Sequence, residues 1–267
     1  MQGSVVLSGT GAFAFGTTTV ANASLTLDNT LTNVVGRLGG ASKNLTLNGG
    51  SITLLGNNSV LSSESLSLLS TSVNGGGSIV TIQAGANAPA WLSIAFLSTQ
   101  NSSSGALLRG TNLGSAPGNG VASIWATSPT LNGSSSLVPG LPNIGVRFDS
   151  IADSSVTGKG TRFATYSYGI GYRPLADSEM VTSLTNAPAS TNFLASPGTV
   201  FPTATAVTIT LPSGSSLGGY NPSSTFTSPS GILALPGNAG ITSGLFTTAG
   251  MTIDIHTVGD LNFNGAF

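Results

Sequence analysis

Charged residues are scarce in this chain. Asp, Glu, Lys and Arg together make up 6% of its 267 residues, whereas an ordinary soluble domain carries roughly 25%. The net charge is −1, so no strong field is available to gather phosphates or anionic lipids. We therefore expect no nucleic-acid partner, and we expect solubility to come from uncharged polar groups.

Cysteine is absent, and His256 is the only histidine. These two facts exclude disulfides, thiolate metal sites, cysteine nucleophiles and multi-histidine metal sites. The Gly-rich run at residues 74–77 lacks the Lys-Ser or Lys-Thr that a phosphate-binding loop needs. We expect neither a cofactor nor a metal ion.

Long apolar runs are also missing. No run approaches the roughly 18 consecutive apolar residues of a membrane-spanning helix, so we expect no membrane insertion by this segment. The stretch from Met1 to Leu7 has no basic residue before its apolar part and does not match a secretion signal. If the protein is exported, we expect this chain to be a mature or excised piece.

Small polar and aliphatic residues fill most of the chain. Ser, Thr and Asn alternate with Leu, Val and Ile, and there are 37 Gly. The small polar residues compete for backbone hydrogen bonds and disfavour helices, whereas the alternation favours strands. Because 39% of the residues are hydrophobic and regularly placed, we predict an all-β fold rather than disorder.

Short Leu-x-Leu units recur in the first part of the chain. They begin at Ser24, Asn44 and Ser65, and a less regular second series begins at Ser51 and Ser78. The first series has a spacing of about 20 residues, which predicts one circuit of a parallel β-solenoid of two or three strands. Asn- and Gly-rich turns suit the corners of such a coil, although an antiparallel array of hairpins with Asn-Gly turns is the alternative.

The regularity of this pattern divides the chain into three parts. We predict β-helix coils over residues 1–87, an irregular aromatic-containing insertion or lateral block over 88–190, and further coils over 191–267. The strand patterns that support the last part lie at residues 206–211, 231–235, 251–255 and 260–263.

Residues 7–29 resemble the autotransporter-associated β-strand repeat. A Gly-rich turn, the aromatic Phe13, a Thr-rich strand and a Leu-Thr-Leu strand follow one another, although the usual Asn-Thr beside the aromatic is missing. Further stretches that resemble very long bacterial surface proteins with such repeats are 108–114, 163–166, 171–175 and 256–261. The resemblance implies a right-handed parallel β-helix passenger that is secreted, displayed at the cell surface and structural or adhesive in role.

Aromatic residues are concentrated in the middle block. Because aromatic rings can stack on sugars, the candidate glycan contacts are Trp91, Trp125, Tyr166 and Tyr172. The alternative is that these rings pack within the block, since aromatics contribute large buried areas.

Catalytic residues are not expected. His256 lies two residues from Asp254, so both would share one face of a strand, but no nucleophile elbow accompanies them. The acidic pairs that a glycosidase or lyase would need are Asp149 with Asp153 and Asp177 with Glu179. Either pair could equally be a surface ion pair.

The sequence therefore predicts a non-enzymatic structural segment of an extracellular bacterial surface fibre or adhesin. It would assemble by stacking or end-to-end contacts with itself or with adjacent repeats of the same protein. One alternative is a carbohydrate-binding surface module whose partners are surface glycans. The other is a β-helical polysaccharide lyase or tailspike-like glycosidase.

Overall fold

The computed structural model describes residues 3–13, 16–71, 77–99, 105–131, 137–160 and 162–181, and six short strands beyond residue 191. The chain divides into two compact units. One comprises residues 1–130 and 149–174, and the other comprises residues 131–148 and 175–267.

The predicted alternation produces strands with one apolar face. In Ser24–Asp28, Leu25 and Leu27 are buried while the residues between them are half-buried. The strands Asn44–Asn48 and Ser51–Leu55 have the same pattern. Successive side chains of a strand point to opposite faces, so a period of two places the aliphatic residues in the core and Ser, Thr and Asn outside it.

Thirteen strands precede residue 175. In chain order they are β1 (Ser4–Leu7), β2 (Thr17–Ala21), β3 (Ser24–Asp28), β4 (Asn44–Asn48), β5 (Ser51–Leu55), β6 (Ser62–Thr71), β7 (Gly77–Gln83), β8 (Ala90–Thr99), β9 (Gly105–Gly110), β10 (Ala122–Ala126), β11 (Val146–Asp153), β12 (Arg162–Ser167) and β13 (Gly171–Pro174).

Two sheets alternate along the chain. The first sheet has the order β1-β3-β5-β7-β9-β11-β12-β13, and the second has the order β10-β8-β6-β4-β2. Strands β1 to β10 pair in parallel with their sheet neighbours, and so do β9 and β11, whereas β12 and β13 pair antiparallel. Each circuit thus adds one strand to each sheet.

The two sheets of the first unit form a β-solenoid of about four turns, built from parallel strands. This confirms the predicted all-β parallel β-helix and excludes the hairpin array as the basis of these circuits. The right-handedness of the coil remains a prediction.

One circuit of the coil is longer than the spacing from which it was predicted. Ser24 aligns with Ser51 on the next circuit, and not with Asn44. In the same way Ile52 aligns with Val80. The spacing was misread because similar Leu-Thr-Leu units lie on both sheets: the unit at Ser24 belongs to the first sheet and the unit at Asn44 to the second. The additional residues lie in the segments that connect the two sheets, such as loop 29–43 between β3 and β4.

Corners of the coil use residues that accept a left-handed backbone. Asn22, between β2 and β3, has φ 48°, and Gly49, between β4 and β5, has φ 64°. The next residue, Gly50, packs so closely that a Cβ there would lie 2.4 Å from the Val20 carbonyl oxygen. Asn and Gly therefore have steric reasons to occupy these corners.

Strands continue beyond residue 87. Strands β8, β9 and β10 lie within residues 88–190, where the sequence predicted an irregular block, and they extend both sheets in parallel. The predicted three-part division into 1–87, 88–190 and 191–267 itself stays a prediction.

The second unit contains short parallel strands. They are β14 (Asn192–Leu194), β15 (Thr208–Thr210), β16 (Ser216–Leu217), β17 (Ile232–Ala234), β18 (Gly240–Thr242) and β19 (Asn262–Asn264). β14, β15 and β17 form one parallel sheet, and β16, β18 and β19 form another. The predicted strand at 251–255 lies outside the described residues.

The only helical element in the described part of the chain is a single 3-10 turn, Asp177–Glu179. That part of the chain accordingly has no helix that is long and apolar enough to cross a membrane.

Candidate functional site: a buried polar corner and two unlike ends of the coil

Arg37 is the largest fully buried side chain of the described residues. It lies in loop 29–43, and its guanidinium donates to the carbonyl oxygens of Gly9, Gly11, Asp28 and Thr32 and to Asn29 Oδ1, at 2.5–2.9 Å. Gly9 and Gly11 lie in the loop between β1 and β2, whereas Asp28, Asn29 and Thr32 lie at the end of β3 and in loop 29–43, on the next circuit. Arg37 therefore joins two circuits through backbone oxygens.

Glu64 completes this corner from the next circuit. Its Oε1 accepts from Arg37 N at 2.8 Å and its Oε2 accepts from Leu38 N at 3.2 Å. The side chain is 1% exposed. Burial raises the pKa of Glu64 to about 7, although both N–H groups and the charge of Arg37 act to lower it.

Amide side chains extend the corner along the coil. Asn57 Nδ2 donates to the carbonyl oxygens of Asn29 and Thr30, both at 3.1 Å. Asn33 Nδ2 donates to Leu61 O at 2.9 Å. Because these bonds connect loops of neighbouring circuits, they hold the coil together outside its sheets.

Sequence reasoning missed Arg37 and Glu64. A signal was present for Glu64: in β6 it occupies the same face as Leu66, which is buried. A carboxylate at a core position needs hydrogen-bond donors or a positive charge nearby. The chain has only 7 basic residues, so few of them could supply that charge.

One member of each predicted acidic pair, Asp153 and Glu179, binds backbone N–H groups. Asp153 accepts from Ser155 N and Gly160 N. Glu179 accepts from Gly140 N and Ala176 N, at 2.8 and 2.9 Å. Like Glu64, each of these buried carboxylates uses both oxygens to hold a loop.

The remaining candidates for chemistry are one exposed residue, one buried residue and two residues that the structure does not describe. Asp177 is exposed and Asp149 accepts a hydrogen bond from Ser150 Oγ. Asp254 and His256 lie outside the described residues. Among the described residues, no group of three His, Asp or Glu side chains is placed to hold a metal ion.

The four candidate glycan contacts lie in two environments. Trp91 on β8 and Trp125 on β10 are half-buried and aligned with Ser123 and Ser93 of the neighbouring strand. Tyr166 and Tyr172 are 3% and 0% exposed. The two tyrosine rings pack edge to face with centroids 5.1 Å apart, so neither offers a face to solvent. Glycan contact at the four positions stays a prediction.

Tyr166 lies at the end of the coil formed by β10, which we call the closed end. β10 is the last strand of the second sheet, and its neighbour β8 bonds to Val121 O and Thr127 N. Because backbone groups alternate in direction along a strand, the N–H and C=O groups of Ala122, Ile124 and Ala126 point away from β8. The Tyr166 hydroxyl donates to Ala126 O at 2.9 Å and accepts from Ala126 N at 3.3 Å.

The rest of this edge is also covered. Ala122 N donates to Thr111 O at 2.8 Å. Gly171, at the start of β13 with φ 98°, lies so near β10 that a Cβ there would be 2.4 Å from Ile124 O. The antiparallel hairpin β12–β13 thus prevents a further strand from pairing with β10.

The other end of the coil, which we call the open end, is formed by β1 and β2. No described strand lies beyond either of them. In the first sheet Val5, Leu25, Ile52 and Val80 are in register and form one core column. Leu25, Ile52 and Val80 are at most 2% exposed, whereas Val5 is 47% exposed, so the column is uncovered at this end.

Replacing Tyr166 by Phe should remove both hydrogen bonds to Ala126 while keeping the ring. Because the N–H and C=O of Ala126 would then lack protein partners, we expect the free energy of unfolding to fall by about 1–3 kcal/mol. Chemical denaturation would measure it. Tyr168→Phe is the matched control, since Tyr168 is 71% exposed, and a loss no larger than that of the control would contradict the role of Tyr166.

Comparisons with known proteins identify no relative. No protein-family model matches the chain, and neither the curated proteins nor the solved structures yield a match.

Proposed function

We propose that the chain is a structural segment of an extracellular surface fibre or adhesin, in which the coil provides length and the open end provides contact. Its partners are further copies of itself or adjacent repeats of the same protein, and it carries out no chemistry. The observation that carries the proposal is the exposure of Val5, at 47%, in a column that is otherwise buried.

The outer faces of the coil support a mechanical role. On the first sheet Thr26, Thr53 and Thr81 are in register on successive strands. On the second, Thr46 Oγ1 and Ser70 Oγ are hydrogen-bonded at 2.9 Å. The bond between Thr46 and Ser70 connects neighbouring circuits along the axis of the coil, and stacked threonines carry no like charges that would oppose extension.

Placement at a bacterial cell surface is supported by the sequence. Residues 7–29 resemble a repeat that is typical of secreted, displayed passengers. The lack of cysteine suits an oxidising exterior, where free thiols would react.

A charge at the open end tests this proposal. Val6 lies in β1 and is 55% exposed. We expect the weight-average sedimentation coefficient of the chain to rise with concentration, and Val6→Lys to weaken this association at least about tenfold, because lysine on an edge strand opposes strand pairing. Sedimentation velocity measures the effect, with electron microscopy to show the shape of the assemblies.

Thr53→Lys is the matched control. It adds the same charge to the outer face of β5, which pairs on both sides with β3 and β7, so association should persist. A chain that stays monomeric at all concentrations would contradict the proposal, as would equal loss of association in both variants.

A further inference from the structure

We propose that the peptide bond between Lys159 and Gly160 is a processing site, which an endopeptidase specific for basic residues cleaves while the other basic positions of the folded chain resist it. The two fragments, residues 1–159 and 160–267, then stay assembled. This processing goes beyond the proposed function and is independent of it. It follows from where the few basic residues lie and from what holds the peptide bonds after them.

The structure describes all seven basic residues of the chain, and Lys159 is the one that is exposed. The other six are buried or half-buried: Arg37, Lys43, Arg109, Arg147, Arg162 and Arg173. An endopeptidase of this class places a Lys or Arg side chain in a pocket that carries a carboxylate. In the folded chain, the ammonium group of Lys159 is therefore the most accessible cation for such a pocket.

Four of the other peptide bonds that follow a basic residue lie within strands. They are the bonds after Arg109 in β9, Arg147 in β11, Arg162 in β12 and Arg173 in β13. A strand must leave its sheet before an active site can take up the chain on both sides of the bond, and such opening is costly in the core of a domain. These four bonds should therefore resist cleavage.

The remaining two bonds are held in loop 29–43. Arg37 is 0% exposed, so its side chain cannot reach an enzyme pocket. Lys43 is half-buried, and the bond after it is hydrogen-bonded on both sides: Lys43 O accepts from Ser67 N at 2.8 Å and Asn44 N donates to Gly16 O at 3.2 Å. Cleavage there would require two neighbouring segments to separate.

The bond after Lys159 lies in the connection between β11 and β12, outside either strand. Its neighbours are held by side chains: Gly160 N donates to Asp153 Oδ2 at 3.1 Å, and Gly158 O accepts from Arg109 Nη1 at 2.9 Å. Three small polar residues of the same connection are exposed: Ser154, Ser155 and Thr157. Exposed loops of small polar residues are the preferred sites of proteolytic nicking, and this one can open without unpairing a strand.

Cleavage adds one water across the bond. The carbonyl carbon of Lys159 gains the hydroxyl group and becomes a carboxylate, and the nitrogen of Gly160 leaves as an amine. The protease supplies the catalytic groups, so this chain needs none of its own. Its contribution is to present one basic residue and to withhold the other six.

The fragments stay together because the cut falls between two strands of one sheet. Fragment 160–267 begins just before β12, which lies between β11 and β13 in the first sheet. Tyr166 holds the same fragment to β10 through its two hydrogen bonds with Ala126. The closed end therefore remains covered after cleavage, although no covalent bond joins the two pieces.

Trypsin is the probe for this site. Brief digestion of the folded full chain should give a single cut, with intact masses that match residues 1–159 and 160–267. The two fragments should elute together from a size-exclusion column in native buffer and separate in denaturant. We expect Lys159→Gln to slow the first cut at least about 100-fold, because glutamine offers no charge to the specificity pocket.

Lys43→Gln is the matched control, since it also replaces a lysine by glutamine. Its first cut should fall after Lys159 at a rate within about twofold of the unmodified chain, because opening near Lys159 is local. A first cut at any other basic residue, or resistance of the folded chain to trypsin, would overturn the inference. So would equal cleavage of Lys159→Gln and the unmodified chain, or fragments that separate in native buffer.

Discussion

Replacing Arg37 by Ala should lower the free energy of unfolding by about 3–5 kcal/mol, the range for removing one member of a buried charged network. The guanidinium satisfies four carbonyl oxygens and Asn29 Oδ1 in a site closed to water. Without it the four carbonyl oxygens lose this donor, Asn29 Oδ1 keeps only the N–H of Val34, and Glu64 loses the positive charge of Arg37. For a chain of this size the melting temperature should fall by on the order of 10 °C.

Lys43→Ala is the matched control for Arg37→Ala. Both residues lie in loop 29–43 and both changes remove one positive charge, but Lys43 is only half-buried. We expect its effect to stay within about 0.5 kcal/mol. Urea unfolding of the two variants beside the unmodified chain measures the difference, and similar losses in both would mean that charge, rather than the buried hydrogen bonds, sets the stability of this corner.

Raising the pH from about 4.5 to above 7 should destabilise the protein through Glu64. Burial raises the pKa of its carboxyl from 4.5 to about 7 in the folded chain, so within this window the folded state holds a proton that the unfolded state has lost. Stability is greatest below the unfolded pKa and is lost as the pH rises through the folded pKa. This rise in the pKa of Glu64 corresponds to a loss of about 3 kcal/mol in the free energy of unfolding.

Glu64→Gln removes this titration and serves as the reference. Its unfolding free energy should change less between pH 4.5 and 8 than that of the unmodified chain, and the difference between the two curves isolates Glu64 from other titrating groups. Asp28 acts in the opposite sense, because hydrogen bonds from Thr30 lower its pKa below 3.8, but its effect lies at lower pH. Parallel curves for the two proteins would refute the prediction.

The elements themselves were predictable from the sequence. Leu25 with Leu27, and Ile52 with Leu54, alternate with small polar residues, and all four are buried as the alternation requires. The pattern is local, since the pleat of a strand alone decides which side chains share a face. Strands and corner residues could therefore be placed without knowing what packs against them.

The circuit length could not be predicted in the same way. A Leu-Thr-Leu unit is equally suited to either sheet, so the spacing from Ser24 to Asn44 measured the step between the sheets and not the turn of the coil. Only the pairing of Ser24 with Ser51 shows which units are neighbours. Long-range pairing depends on loop lengths, which a period of two does not record.

The roles of the rare charged and aromatic residues depended even more on the tertiary structure. The sequence left Tyr166 as either a glycan contact or a packing residue, and its burial depends on the hairpin β12–β13 folding onto the edge of β10, 40 residues earlier in the chain. The sequence places Arg37 in a connecting loop, where an arginine is usually exposed. It is buried because Gly9 and Gly11 of the neighbouring circuit pack against it and accept its hydrogen bonds.

The sequence by itself determined that this chain forms strands with an aliphatic face, turns at Asn and Gly, and a nearly uncharged exterior, because each property depends on residues a few positions apart. The tertiary structure decided the length of each circuit, the burial of Arg37 with Glu64, and the contrast between a covered and an uncovered end. These depend on which distant segments lie side by side, and that is settled by the packing of whole circuits.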